Sequence, residues 1–214
     1  MRDIVEGVVR TLRAEWTANV WDPKSDWVIR ANHGEDAPDT RRWAARIECY
    51  FAAAGPSWRN RLNARPGRIK YRPFDDAWCG MFVNYGLANP EGVNARLHPK
   101  LSELVLPSTY RLNTAAYWTR AGFKRPRSLP ASEVQRGDVL TVTTRKTNPK
   151  AYGDHIVLAL GPADANGDIP TIEGNASGNK PTGPWDRQGV VIRTRSVDSV
   201  KRVYRFGLEH FTER

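Results

Sequence analysis

Nucleophilic chemistry in this chain would begin at Cys79. In the stretch "FDDAWCGMFVNYGL", residues 74 to 87, the thiol follows a tryptophan directly and an Asp-Asp pair by three positions, at a predicted helix start. Asp75 or Asp76 is expected to cap that helix, so Cys79 falls in or near its first turn, exposed at the positive end. Free N–H groups there favour negative charge, and a neighbouring imidazole can bring a thiol from about 8.5 into the range of roughly 3.5 to 7.5. The same N–H groups could hold an oxyanion, with the Cys79 amide as the obvious donor. A thiolate nucleophile also needs the imidazole itself and a polar group to orient it. His155 opens a predicted strand after Gly153-Asp154, and Glu173 and Asn175 stand two apart in "TIEGNAS". Alternation puts Glu173 and Asn175 on one strand face, with Gly174 turned away. If the two strands pair through the 161–170 loop, His155, Glu173 and Asn175 meet at one end of a sheet.

Each residue also has a plainer reading. Free cysteine is among the most buried residue types, so Cys79 alone reads as packing. His155 could be a surface residue at a strand end, and Glu173 or Asn175 a turn residue. "NAS" matches a glycosylation acceptor at Asn175, a match of little weight without an export signal. The residues by themselves leave both readings open. The order of the elements is what brings the four into reach of one another.

Those elements follow from periodicity. Ile4, Val8, Leu12 and Trp16 recur every four positions and predict a helix packed on the core. A second helix is predicted over "DTRRWAARIECYFAAAG", capped by Asp39 or Thr40, with Trp43, Ile47, Tyr50 and Phe51 inward and Cys49 expected buried. Residues 59–72 carry six Arg or Lys and no acid, expected as a solvated loop, with an anion-binding strip as the sharper alternative. After the Cys79 helix comes an irregular stretch with Asn89-Pro90, His98-Pro99 and Leu106-Pro107, then a helix "STYRLNTAAYWTRAG". From Gly137 the period changes. "GDVLTVTT", "HIVLALG", "PTIEGNAS", "GVVIRTRSV" and "KRVYRFG" are short, β-branched and punctuated, as successive antiparallel strands are. Asn166-Gly167 marks a hairpin loop between the second and third. Helices first and strands second predict an α+β domain, the Cys79 helix lying on an antiparallel sheet.

Composition bounds the rest. A chain of 214 residues fits one domain, read as 1–214 with a helical part at 1–73 and a Cys-His core at 74–206. A net charge of +10 favours an anionic partner: nucleic acid, a membrane surface or an anionic wall polymer. No apolar run is long enough to span a bilayer and the N-terminus lacks the apolar core of a signal peptide. Two cysteines, Cys49 and Cys79, make at most one disulfide and are expected free. The histidines, His33, His98, His155 and His210, show no metal-ligand spacing with them, so no metal is expected.

Taken in order, these segments resemble the CHAP-type and NlpC/P60-like cysteine amidohydrolases. "WCGMFVNYGL" is similar to their "WC-x-x-F-V" helix, "RGDVLTV" to the "PGD" strand entry, "GDHIVLALG" to the "GH(V)" strand and "IEGNAS" to the "EGN" strand. "GVVIRTRSV" resembles the closing "G-V-x-x-R-x-R" strand, and the match covers roughly residues 74–206. The resemblance implies a papain-like fold, with Cys79 as nucleophile, His155 as general base and acid, Glu173 orienting His155, and Asn175 as a polar helper. It implies a thioester acyl-enzyme, no cofactor, and cleavage of an amide bond in the peptide part of peptidoglycan. Two departures stand out: Asp154 occupies the place of a glycine before His155, and only Asp75 and Asp76 precede Cys79, so no calcium site is expected.

The leading expectation is therefore a peptidoglycan amidase or endopeptidase, its basic surface drawn to an anionic wall and some of its eight tryptophans stacking on glycan, with Trp16 and Trp43 in the core. Such a protein would be made in the cytoplasm without a signal peptide and act in the periplasm or cell wall. It would arrive as a phage lysin after lysis or as an antibacterial effector through a dedicated secretion machinery, then with an immunity protein as partner. One alternative is a papain-like hydrolase or deamidase toxin acting on a protein amide. The other is a basic binding module; no nucleic-acid partner is expected, since no reading helix or aromatic RNA-binding motif is present.

Overall fold

The structure, a computed structural model, describes residues 1–18, 20, 38–58, 78–144, 153–176 and 189–213, with the backbone alone for 38–45. The first helix, α1 (Arg2–Thr17), buries Ile4, Val8 and Leu12 on the stripe that their spacing predicts. Helix α2 (Pro38–Ala53) buries Ile47, Tyr50 and Phe51. It begins at Pro38, upstream of Asp39 and Thr40, so neither is its cap. Trp43's side chain lies outside the described residues. Cys49, expected buried, is exposed. The helical period itself accounts for this, since position 49 lies about 200° around the helix from Ile47.

Helix α3 (Cys79–Ala88) is buried along nearly its whole length. Its cap residue is Trp78, with no side-chain hydrogen bond to the first turn, so neither aspartate holds the cap position; Asp75 and Asp76 lie outside the described residues. On one side α3 meets the N-terminal helices. The Tyr50 ring stands 5.8 Å from Trp78, 5.5 Å from Phe82 and 5.0 Å from Tyr85. A Cβ on Gly86 would come within 2.6 Å of Leu12, so α1 and α3 touch almost backbone to side chain there.

The stretch after α3, expected irregular, holds a two-residue strand β1 (Arg96–Leu97) and a short helix α4 (Pro99–Leu104). His98 caps α4 through Nδ1, which accepts from the Lys100 amide at 3.3 Å. The single helix expected over 108–122 is two, α5 (Thr109–Asn113) and α6 (Ala115–Ala121). Asn113 donates to the Thr109 carbonyl at 2.7 Å and accepts from the Tyr204 hydroxyl at 2.8 Å. That local side-chain bonding competes with helix continuation, and Thr114 is extended.

All five predicted strands form: β2 (Val139–Val142), β3 (His155–Ala159), β4 (Asp168–Ala176), β5 (Gly189–Ser196) and β6 (Val200–Tyr204). They make one antiparallel sheet in the order β5-β4-β3-β2-β6, and the last strand, β7 (Phe211–Thr212), pairs with β1. The molecule is thus a mixed α and β fold with α3 against the sheet. One core cluster runs from Ile4 of α1 through Phe82 of α3 to Ile156, Ile172 and Phe206, so the N-terminal helices and the sheet share an interior. Val157, Ala159 and Ile169 belong to a second cluster on the other strand parity. Among the described residues the tryptophans serve packing: Trp58, Trp78 and Trp118 are buried and Trp16 packs against the core. The expectation of glycan-stacking tryptophans finds no support in these four. No helix among the described residues is long and apolar enough to cross a membrane. The Arg-rich strip at 59–72 lies outside the described residues.

Candidate active site

Cys79 is the first residue of α3, so its amide has no intrahelical acceptor. It is also buried, at 4% exposure, where the sequence predicted exposure. Small residues bring the rest of the site to it. A Cβ on Gly80 would come within 2.6 Å of the Leu106 carbonyl and 3.0 Å of Ile156 Cδ1, which seats the helix start directly on β3. A Cβ on Gly174 would meet Phe82 Cβ at 2.5 Å and Trp78 Cζ3 at 2.6 Å, so β4 presses its bare backbone onto α3.

His155 opens β3. Gly153, with φ +73°, turns the chain into the strand, and a side chain there would come within 2.6 Å of the Val142 carbonyl. Asp154, where the resemblance expects glycine, is tied to β2: its amide donates to the Val142 carbonyl at 2.9 Å and its Oδ1 accepts from the Thr144 amide and hydroxyl at 2.8 and 2.9 Å. The Asp154 carboxylate therefore helps fasten the strand entry.

The expected pairing of the second and third strands holds, with Leu158 opposite Ile172 and Ala159 opposite Thr171. His155 Nε2 lies 3.1 Å from Glu173 Oε2. Glu173 is fully buried, and Arg195 on β5 grips it with both prongs, Nε to Oε1 at 2.7 Å and Nη2 to Oε2 at 2.6 Å. The Thr171 hydroxyl donates to Oε1 at 2.7 Å. An ionised carboxylate only accepts, so His155 carries a proton on Nε2, which leaves Nδ1 as the nitrogen for the thiol; Cys79 and His155 act on each other through charge and hydrogen bonding.

The electrostatics follow from this chain of contacts. Burial pushes the Cys79 thiol up, yet the His155 charge and hydrogen bond, with the Ile156 and Gly80 amides, outweigh it and hold the thiol below its usual range. Burial pulls His155 down, but Cys79 and Glu173 together carry it up to about 9. Burial raises Glu173, and the hydrogen bonds and charges of His155 and Arg195 bring it down to about 2. The directions for Cys79 and His155 both favour a thiolate-imidazolium pair, backed by a carboxylate-guanidinium pair.

Asn175 departs from expectation. Glu173 pairs with Val191 and Ala176 with Gly189, so β4 carries an extra residue between them, a bulge. Asn175 adopts φ +58°, in the left-handed region that asparagine tolerates, and simple alternation with Glu173 is lost. It is half-buried, and no hydrogen bond of its side chain occurs among the described residues. Arg195 and Thr171 are the site residues that sequence reasoning missed. Thr171 is two before Glu173 and so shares its face, a signal that was there to read. Arg195 was beyond sequence reasoning and even beyond the β4–β5 register, which sets Arg193 opposite Thr171 and Arg195 opposite Ile169; its side chain runs back along the sheet face to Glu173. Both cysteines are free thiols, and no group of His, Cys, Asp and Glu among the described residues is arranged to hold a metal ion. Comparison with protein-family models, with curated proteins and with solved structures gives no match for this chain.

Proposed function

We propose that this chain is a cysteine hydrolase of amide bonds that acts through a thioester acyl-enzyme on the peptide part of peptidoglycan. The observation that carries the reading is the continuous path Cys79–His155–Glu173, in which a thiol with lowered pKa hydrogen-bonds to an imidazole anchored at 3.1 Å by a buried carboxylate. A packing cysteine needs none of these partners. The resemblance of residues 74–206 to CHAP-type and NlpC/P60-like enzymes supplies the substrate class, and a helix-borne nucleophile against a sheet-borne base agrees with a papain-like fold.

In this reading the Cys79 thiolate attacks the scissile carbonyl carbon. The oxyanion so formed lies at the start of α3, where the unpaired Cys79 amide donates to it. His155, protonated at rest, gives its Nδ1 proton to the leaving amine as the C–N bond breaks and the thioester remains. Neutral His155 then takes a proton from water, whose oxygen attacks the thioester; the C–S bond breaks, the acid product leaves, and the thiolate-imidazolium pair is restored. Glu173 keeps the imidazole's Nε2 proton in place throughout. Delivery from the cytoplasm by lysis or dedicated secretion, with an immunity protein in the second case, completes the proposal. The deciding experiment incubates the protein and Cys79→Ala with sacculi of several wall chemotypes and identifies released fragments by mass spectrometry. Release by the native chain alone is the expected result. Equal release by the variant, or intact walls alongside a deamidated or cleaved protein substrate, would overturn the reading.

A further inference from the structure

Glu173 has no contact with water, and three groups share its two oxygens: His155, Thr171 and the Arg195 guanidinium. Arg195 is itself mostly buried, its side chain 11% exposed, and it touches both carboxylate oxygens. A planar fork of this kind fixes the carboxylate plane, which a point-charge ammonium cannot do. The plane matters because Oε2 is the atom bonded to His155 Nε2 as well as to Arg195 Nη2.

We propose that Arg195 is a positioning residue of the Cys79–His155 site, holding Glu173 ionised and in plane so that His155 is presented to the thiol. The proposal rests on the thiolate-imidazolium reading of Cys79 and not on the identity of the substrate. The charged and titratable groups acting on the pair are Glu173 from β4, with Arg195 of β5 behind it, and each member of the pair on the other.

The sign follows from charge. With Arg195 in place, the ionised site of thiolate, imidazolium, carboxylate and guanidinium is neutral overall. Replacing the guanidinium by an uncharged side chain removes a positive charge, so every loss of a proton in the site becomes harder. The thiolate therefore forms at higher pH.

The test is the pH profile of Cys79 alkylation by iodoacetamide, resolved from Cys49 by peptide mass spectrometry, for the native chain, Arg195→Met and Arg195→Lys. Arg195→Met should move the Cys79 midpoint upward by about one pH unit. Arg195→Lys, which keeps the charge and loses the fork, should move it less while still slowing fragment release. Thermal melts identify any variant that fails to fold, and Arg195→Gln then replaces Arg195→Met as the neutral variant. A fall in stability with an unmoved midpoint in a folded neutral variant would mean that Arg195 only braces the sheet, and the proposal would be wrong. The outcome separates from that of the proposed function: a native midpoint at the ordinary thiol value would overturn the thiolate reading, whereas a low native midpoint unchanged by the substitutions overturns only the role of Arg195.

Discussion

Three carboxylates, Glu15, Asp138 and Glu173, are buried among the described residues, each forked by an arginine, and Glu15 and Glu173 are held most alike because a side-chain hydroxyl completes both. Glu15 on α1, 1% exposed, is gripped at both oxygens by Arg46 of α2 and accepts from the Tyr50 hydroxyl at 2.7 Å. Glu173 on β4 is gripped by Arg195 and accepts from the Thr171 hydroxyl. The difference is the remaining partner. Around Glu15 the other titratable neighbour is Tyr50, which burial and then the carboxylate itself push well above its usual range, so its proton stays put. Around Glu173 it is His155, whose proton can move to and from Cys79. One fork closes a joint between two helices, and the other presents a mobile proton. The same device is structural or chemical according to what it leaves titratable.

The largest break in this parallel is expected from removing the charge at each carboxylate. Glu173→Gln should lower turnover by about 100-fold or more, because the imidazole exchanges an anionic acceptor for a neutral amide that can also turn its NH2 toward it. It should also move the alkaline limb of kcat/KM to lower pH, since the imidazolium, carried up to about 9 in the native site, loses an anion. Glu15→Gln should leave both limbs where they are and appear only as a lower Tm. A pH profile of Glu15→Gln that moved with that of Glu173→Gln would erase the distinction.

Next in size is the approach of sheet to helix. Gly174→Ala forces a methyl group against Phe82 and Trp78, and overpacking of this kind costs about 1–3 kcal/mol. Because the strain opens the space between Cys79 and the β4 carboxylate, turnover should fall further than stability alone explains. Urea unfolding and fragment release measured on the same preparation check this.

A subtler asymmetry concerns acid. Glu173 is depressed to about 2 in the fold, below an unfolded value of about 4.3, so its stabilising contribution is complete above pH 4.3 and is lost as pH falls toward 2. The native chain should lose on the order of 2–3 kcal/mol across that window, and Glu173→Gln should lose less. Denaturant titrations at pH 6, 4 and 3 give the comparison; equal acid sensitivity in the two chains would refute the assignment. The smallest effect is expected at the other thiol: Cys49→Ser, on an exposed helix face, should change stability by no more than about 0.5 kcal/mol and leave turnover unchanged.

What the sequence told about this site depended on range. The strands were legible because β-branched runs between turn residues have few other uses, and the proximity of His155 to Glu173 followed from one hairpin. The helix start at Cys79 was legible too, although its cap was misjudged: an acidic pair looks like a cap, and Trp78 holds that position instead. Burial of Cys79 was not legible, because it depends on Gly80 and Gly174 admitting neighbours from distant segments. Arg193 and Arg195 share a strand face, and the register by itself would favour Arg193, opposite Thr171; only the side-chain contacts give Glu173 to Arg195. Asn175 fell to the bulge, which no alternation rule anticipates. The papain-like reading, the substrate and the route to the wall stand as proposals for the experiments above.

The burial of α3 between the helices before it and the sheet after it bears on the order in which the proposed site is assembled as the chain is made. Helices α1 and α2 leave the ribosome before the Cys79 helix, and His155, Glu173 and Arg195 follow it. Leu12 and Tyr50 already clasp α3, yet β5, which carries the guanidinium, is synthesised after every other part of the site. On the proposed reading, a nascent chain carries its nucleophile through the 76 residues from Cys79 to His155 with no base to arm it. On that reading the site is complete only once β5, with Arg195, has followed the other strands that build it.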